Sequence, residues 1–393
     1  MTTPDAWTEK RPPDTAGRSP VLVFLPPAPL DTILNMSKPE ESRPSEFARP
    51  DHPGDLTPYL RHLLDGGSLP EAESRAAFEA IMTGTAHEAE MGALLALLAT
   101  RVPTVDELVG AASVMREKVD RLETGVPSER LLDTAGTGGA PKVFNVSTAA
   151  AIVAAGAGVT VAKHGNRSRT GRGSAEVLAA LGVNIDADRS VQRRCLEETG
   201  VAFCFAIHHH PAAKHAMPVR KALGFPTIFN LLGPLTNPAG AGRQIMGVYA
   251  DRFVRPVADT HARLGAVRAL VFHAADGLDE FSIDAPTHVA DVRGGVVEEY
   301  EVDAQELGLR RATFEELQVR DLDHAAVLVR GILDGSEQGP PRDMTLLNAA
   351  AALVAADRVE SFASGVGLAA EAIDSGATAK TLSGLIEASN RPS

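Results

Sequence analysis

The chain has 393 residues, which is long enough for two domains and a large hydrophobic core. Its 44% hydrophobic content is ordinary for a soluble protein, and its formal net charge of −13 argues against nucleic acid or an anionic membrane as a general partner. The two cysteines, Cys195 and Cys204, form no CxxC pattern, and no apolar run approaches the ~20 residues of a membrane span. These features predict a reduced, cytoplasmic protein.

The first part of the chain, residues 1–54, is rich in proline, serine and charged residues and has no sustained periodicity. Such a segment cannot bury enough apolar area to offset its ordering entropy, so we expect a disordered or extended leader. Met36 leaves a second possible start inside the leader, and the sequence alone does not choose between Met1 and Met36.

Residues 55–125 have helical patterns and predict a small all-helical domain. Residues 71–82 form an amphipathic pattern, while 88–99 is apolar and alanine-rich, as in a buried helix. Thr104 followed three residues later by Glu107 predicts a capping box at the start of another helix.

Residues 126–393 alternate short β-runs with helical segments, which predicts a large α/β domain with a mainly parallel central sheet. The candidate strands are 159–162, 203–207, 244–248, 269–272 and 326–329. The candidate helices are 147–155, 174–181, 255–264 and 346–356. In such sheets ligands bind at the carboxyl ends of the strands.

The most informative stretch, residues 133–167, has the outline of a phosphate-binding site. It contains the glycine cluster GTGG at 136–139, the turn NVST at 145–148 and the segment KHGNR at 163–167. Glycines let backbone N–H groups approach an anion, and a Ser/Thr helix start adds hydroxyls and the positive end of the helix dipole. Lysine and arginine supply full positive charge.

These motifs, in this order, resemble those of the anthranilate phosphoribosyltransferases, part of the wider group of phosphoribosyltransferases and pyrimidine nucleoside phosphorylases. Two further stretches carry the resemblance, HHPAAKHAMPVRKALGFPTIFNLLGPLTNP at 209–238 and HAADGLDEFS at 273–282. The likeness extends from about residue 56 to the C-terminus. It implies transfer of the phosphoribosyl group of phosphoribosyl pyrophosphate to anthranilate in tryptophan biosynthesis, with Mg²⁺, by a homodimer joined through its helical domain.

The resemblance also implies the site residues. Those for phosphoribosyl pyrophosphate are Gly136, Gly139, Ala140, Asn145, Val146, Ser147, Thr148, Lys163, His164, Gly165, Asn166, Arg167 and Ser174. Those for anthranilate are Gly136, His164, Asn166, His210 and Arg220. Those for the metal are Ser147, Asp279 and Glu280.

The chemistry of the implied reaction is consistent with these residue types. Carboxylate oxygens such as those of Asp279 and Glu280 are suitable Mg²⁺ ligands, and the guanidinium of Arg220 can pair with a carboxylate through two parallel bonds. The aromatic amine is a neutral nucleophile, so positioning and charge stabilisation are expected to supply the rate. No residue is therefore assigned as a catalytic acid or base.

The chain departs from the family pattern at two places. An acid commonly follows GTGG in the family, whereas this chain has Ala140 and Pro141. The loop of the form SxSSKSGS is one residue shorter here, at 168–174, and Arg169 and Arg172 are candidates to replace its lysine. These departures concern local loop geometry more than the predicted activity.

Two alternative functions compete with the transferase. One is a nucleoside phosphorylase on the same fold, and the other is a non-catalytic nucleic-acid-binding relative. KHGNR and PVRKALG suit an anthranilate site better than a pyrimidine site, and the net charge of −13 disfavours nucleic acid. The remaining histidines of interest, His208, His209, His215 and His288, are interpreted as polar loop residues.

Overall fold

The computed structural model describes residues 52–168 and 171–392, so most of the predicted leader at 1–54 lies outside the described residues. The described chain begins with four helices: α1 (Thr57–Leu64), α2 (Glu71–Thr83), α3 (Glu88–Ala99) and α4 (Val105–Glu117). The capping box of α4 is confirmed, because Thr104 Oγ1 accepts from Glu107 N at 3.2 Å and Glu107 Oε2 accepts from Thr104 N at 2.8 Å.

The predicted sheet is confirmed as mainly parallel, with seven strands among the described residues. The strands are β1 (Leu131–Asp133), β2 (Thr160–Gly165), β3 (Val201–Phe205), β4 (Arg243–Gly247), β5 (Arg268–Ala274), β6 (Thr287–Arg293) and β7 (Val296–Val302). Their order in the sheet is β3-β2-β1-β4-β5-β6-β7. The five strands β1 to β5 are parallel, so their carboxyl ends meet at one edge, whereas β6 and β7 form an antiparallel extension that the sequence analysis did not predict.

Helices connect and cover the strands. They are α5 (Val146–Gly156), α6 (Ser174–Leu181), α7 (Arg189–Thr199), α8 (Ala206–His209), α9 (Met217–Leu223), α10 (Ile228–Leu232), α11 (Val254–Arg263), α12 (Phe314–Leu317), α13 (Leu322–Leu333), α14 (Pro340–Ala355), α15 (Phe362–Asp374) and α16 (Ala377–Asn390). The alanine-rich α5 packs against α14, α15 and α16 in the core, and its small side chains allow this close approach.

One strand prediction was wrong, and another was displaced by two residues. Residues 326–329 lie inside α13, whose buried residues Ala325, Ala326, Val329, Ile332 and Leu333 have helical spacing. A short apolar run does not distinguish a strand from the buried face of a helix, which explains the error. The predicted strand 203–207 ends at Phe205, because α8 begins at the next residue.

Two helices from the middle of the chain, α9 and α10, pack against the N-terminal helices. Helix α9 packs against α3, and α10 packs against α3 and α4, with the rings of Phe78 and Phe229 5.6 Å apart. The α-helical part therefore contains residues far apart in sequence. The domain boundaries 1–54, 55–125 and 126–393 stay a prediction.

No helix within the described ranges is long and apolar enough to span a membrane.

Candidate active site

The main cavity has a volume of about 1030 Å³ and lies at the carboxyl ends of the parallel strands. It is lined by the segments that follow β1, β2, β3 and β5, and by helices α9 and α10. Fourteen residues predicted for the site line it together: Gly136, Asn145, Ser147, Thr148, Lys163, His164, Gly165, Asn166, Arg167, Ser174, His210, Arg220, Asp279 and Glu280. Gly139, Ala140 and Val146 do not line it, and the side chain of Val146 is buried in the core.

A buried acid joins two strands whose following residues line the main cavity. Asp133 ends β1, and its Oδ1 accepts from the backbone N–H groups of Thr134 at 2.7 Å and His164 at 2.9 Å. The carboxylate thus ties the end of β1 to the end of β2. Burial raises the pKa of Asp133 to about 6. Asp133 is the first residue of the stretch 133–167, yet it is not among the residues predicted for the site.

Lys163 presents its ammonium group where the two strands meet. Its Nζ donates to Thr134 O at 3.1 Å, to Thr134 Oγ1 at 3.0 Å and to Ser147 Oγ at 3.4 Å. Burial lowers the pKa of Lys163, while the carboxylates of Asp133 and Glu280 act in the opposite direction. The cation is therefore held in place by oxygen atoms from β1 and α5, at the wall of the cavity.

Polar residues at the start of α5 line the main cavity. Asn145 does not cap the helix with its side chain; its amide donates instead to Arg172 O at 3.2 Å. The hydroxyl of Thr148 is buried and has no hydrogen-bond partner among the described residues. A buried hydroxyl without a partner is costly, so an oxygen-rich ligand at this helix start would satisfy it.

The acidic pair follows β5. The backbone N–H of Ser147 donates to Glu280 Oε1 at 3.3 Å, which brings the start of α5 to the acids. Burial raises the pKa of Asp279, and burial together with Asp279 raises the pKa of Glu280. Gly247 is required beside them, because a Cβ there would lie 1.8 Å from Asp279 O. Lys142, another residue missed from sequence, lines the same cavity and opposes the rise in the pKa of Asp279.

The donor set of the acidic pair is compatible with Mg²⁺. Carboxylate and hydroxyl oxygens are the ligands that this ion prefers, and a nearby dication would relieve the repulsion between Asp279 and Glu280. Within residues 52–168 and 171–392, no group of three or more His, Cys, Asp or Glu side chains could hold a metal ion. Mg²⁺ usually takes its remaining ligands from water and substrate phosphates.

The loop after β2 folds back on itself. Asn166 Oδ1 accepts from Arg167 N at 2.8 Å, and Ser174 Oγ donates to Asn166 O at 3.4 Å. Arg172, a candidate replacement for the missing lysine, donates to Val319 O and does not line the cavity. Arg169, the other candidate, lies outside the described residues.

The opposite wall is built by residues 206–236. His210 Nε2 and His164 Nε2 are 3.2 Å apart, at hydrogen-bond distance, and burial lowers the pKa of His210 to about 4 and that of His164 well below its usual range. Both rings are therefore neutral near pH 7. The guanidinium of Arg220 lies over the ring of Phe229, 5.0 Å from its centroid.

The interpretation of His209 as a polar loop residue was wrong. His209 ends α8 and is fully buried. Its Nδ1 lies 2.8 Å from Asp120 O and its Nε2 lies 3.0 Å from Gln192 Oε1. These partners come from distant parts of the chain, so no local pattern indicated the burial.

Comparison with known proteins identifies the class first. The models of the glycosyl transferase family match residues 57–119, as its helical bundle domain, and residues 128–379, as its a/b domain. The structure of anthranilate phosphoribosyltransferase from Thermus thermophilus superposes with a TM-score of 0.79 at 38% identity, over 84% of this chain and 99% of that one. The yeast enzyme, in complex with PRPP and Mg, has a TM-score of 0.76 at 24% identity, over 85% of this chain and 97% of that one, and shows the shared fold. The chain is thus a glycosyltransferase of this fold.

Individual relatives identify the family within this class. Anthranilate phosphoribosyltransferase of Rhodospirillum rubrum is 47% identical over 340 residues, covering 86% of this chain and 97% of that protein. The enzyme of Anaeromyxobacter dehalogenans is 49% identical over 335 residues, covering 85% and 98%. The chain belongs to the anthranilate phosphoribosyltransferase family, and it is a phosphoribosyl-transferring enzyme.

Proposed function

We propose that the main cavity joins anthranilate to the ribose of phosphoribosyl pyrophosphate and releases pyrophosphate, as a step of tryptophan biosynthesis. The observation that carries the proposal is the composition of the cavity. Lys163, the open start of α5 and the acidic pair lie on one side, and Arg220 lies on the other. One side suits a metal-bound polyphosphate and the other a small aromatic acid.

The phosphate side acts by positioning and by charge. Lys163 and the unpartnered hydroxyl of Thr148 provide donors for the pyrophosphate, and Asn145 lies beside them. Negative charge builds on the pyrophosphate as it leaves the ribose. Fixed donors in a partly desolvated cavity stabilise that charge without reorganising during the reaction.

Asp279 and Glu280, with Ser147 beside them, would hold Mg²⁺ at this side of the cavity. When bound, the ion supplies positive charge that neutralises the pyrophosphate oxygens. The two carboxylates lie on the segment after β5, and Glu280 accepts a hydrogen bond from the start of α5. The acids and the positive end of the helix dipole therefore act on the same part of the cavity.

The opposite side binds anthranilate. Arg220 pairs with the anthranilate carboxylate, since a guanidinium can donate two parallel hydrogen bonds to it. The neutral rings of His164 and His210 line the path to the ribose without placing another cation near the amine. The amine attacks the ribose carbon directly, so correct placement supplies much of the rate.

The relatives named above support the transferase over both alternatives. Each is an anthranilate phosphoribosyltransferase, and the chain covers nearly all of its length. A nucleoside phosphorylase would act on phosphate and a nucleoside, and a nucleic-acid-binding relative would have lost turnover. A direct assay separates the three functions.

The assay follows the loss of anthranilate fluorescence after purified protein, phosphoribosyl pyrophosphate and Mg²⁺ are mixed. We expect a decrease that requires all three components and that chelation of Mg²⁺ abolishes. Phosphate with a pyrimidine nucleoside should give no free base in a parallel reaction. A stable fluorescence signal in the complete mixture would refute the transferase.

We also propose that the chain acts in the cytoplasm as a homodimer joined through its helices. Support comes from α3, which is apolar after its acidic first turn and exposes Ala93 and Ala99. It also comes from Leu64 at the end of α1, whose side chain is 69% exposed. Both cysteines are free and buried, as in a reduced compartment. Analytical ultracentrifugation at micromolar concentration should give a dimeric mass, and Leu64→Glu should weaken the dimer.

A further inference from the structure

A second cavity of about 260 Å³ lies at the junction between the helical bundle and the sheet. It is bounded by the end of α4 and the chain that follows it, by the segment before β4, and by the turn between α11 and β5. The second cavity shares Pro234 with the main cavity. None of the residues predicted for the site lines the second cavity, so its role must be considered separately.

Two arginines line the second cavity. Arg116 donates its Nε to Leu235 O at 2.7 Å and its Nη1 to Leu264 O at 3.2 Å. A guanidinium has five N–H groups, so these two bonds leave three without a partner among the described residues. Arg121, an exposed residue, also lines the cavity, and within the described part of the chain its side chain forms neither a hydrogen bond nor an ion pair.

The second cavity has an unbalanced positive charge. None of the described residues that line it is acidic. Burial lowers the pKa of Arg116, and the nearby charge of Arg121 acts in the same direction. Neutral side chains complete the wall, and the amide donors of Asn237 and Gln244 are already bound to Ala162 O and Pro234 O. The free donors of the cavity are therefore mostly cationic.

We propose that the second cavity binds a phosphate group between Arg116 and Arg121. A phosphate monoester or inorganic phosphate has a charge of about −1.5 to −2 at pH 7, which matches two guanidinium groups. Guanidinium donors fit phosphate oxygens in pairs, and desolvation in a cavity strengthens such bonds. The volume accommodates phosphate with a small organic substituent as well as the free ion.

The test measures phosphate stoichiometry in the full chain. Equilibrium dialysis with radiolabelled inorganic phosphate should show two sites per chain, one in each cavity. Arg121→Gln should weaken only the second site, roughly ten-fold or more for a lost charged hydrogen bond. Lys163→Gln should weaken only the first. Arg320→Gln is the matched control, because Arg320 is exposed and its side chain has no bond within the described residues.

Two further measurements complete the test. Glycerol phosphate should displace the label from the second site if a monoester is accepted, and failure to displace it assigns the site to free phosphate. Crystals soaked in tungstate should give an anomalous peak between Arg116 and Arg121 that is absent in Arg121→Gln. A single site that Lys163→Gln removes, or a second site indifferent to Arg121→Gln, would overturn the inference. Because anthranilate turnover is measured separately, this failure is distinct from failure of the transferase.

Discussion

The two walls of the main cavity differ in how their side chains are held. On the wall proposed to bind phosphate, here called the phosphate wall, Lys163 donates to the backbone oxygen of Thr134. The buried Asp133, at the end of the adjacent strand, accepts from the backbone N–H groups of Thr134 and His164. On the opposite wall, short helices present exposed apolar side chains, with Ile207 57% exposed and Met217 46% exposed. The phosphate wall is thus preorganised, whereas the opposite wall has apolar surface that a bound aromatic ring would cover.

The largest effect is expected from the acidic pair on the phosphate wall. The double variant Asp279→Asn, Glu280→Gln removes both charges of the proposed Mg²⁺ site and should lower turnover by roughly a thousand-fold or more. Circular dichroism should show an unchanged fold, because the new amides are nearly isosteric. Near wild-type turnover across a Mg²⁺ titration would place the metal elsewhere.

Arg220→Ala, on the opposite wall, should weaken the binding of anthranilate alone. Loss of a charged hydrogen bond predicts a rise of roughly ten- to a hundred-fold in the KM for anthranilate. The KM for phosphoribosyl pyrophosphate should hardly change, since Lys163 and α5 are separate from Arg220. Arg220→Lys is the matched control that keeps the charge but loses the planar fork. An unchanged KM for anthranilate would remove Arg220 from the site.

Lys163→Gln should give the reverse pattern. It removes the cation proposed to face the pyrophosphate, so the KM for phosphoribosyl pyrophosphate should rise by roughly ten-fold or more. The KM for anthranilate should stay near the wild-type value. Equal effects on both substrates would mean that the two walls are coupled and do not act independently.

The two walls should also respond oppositely to pH. His209, in the segment that forms the opposite wall, has its pKa lowered to about 4 by burial, so its stabilising contribution is present above its unfolded pKa near 6.5 and is lost as pH falls through 4. Asp133 has its pKa raised to about 6, so its contribution is present below its unfolded value of 3.8 and is lost as pH rises through 6. Each group changes the free energy of unfolding by up to about 1.4 kcal/mol per pH unit within its window.

Chemical denaturation between pH 4 and pH 6.5 checks this pair of predictions. His209→Asn should remove part of the loss of stability that acid causes. Asp133→Asn keeps an oxygen acceptor for Thr134 N and His164 N, and should make the loss toward acid steeper. Parallel curves for both variants and the wild type would show that neither group titrates differently in the folded state.

The smallest effect is expected from removal of the leader. A chain that begins at Pro53 should keep its melting temperature and both KM values, since the leader's composition does not support a packed core. A clear drop in the melting temperature would show that the leader packs on the fold, and a change in one KM would assign it to one wall.

Local sequence was sufficient for most of the site. GTGG, NVST and KHGNR each contain their own turn, helix start or strand end, and the α/β alternation predicts that such loops meet at one edge of the sheet. Local sequence was insufficient for Asp133, because the structural role of that carboxylate depends on its hydrogen bond from His164 N on the neighbouring strand. A single acid before a glycine cluster has no local feature that shows such a bond.

The sequence by itself determined the helical start, the mainly parallel sheet and the short motifs that line the main cavity, because these depend on periodicity and on local turn and helix-start signals. Only the tertiary structure decided that 326–329 is helical, that His209 is buried and that 206–236 packs on the first helices. Each of these depends on partners far away in the chain. Apolar runs and histidines are compatible with several environments, and the contacts that select one of them form only when distant segments pack together.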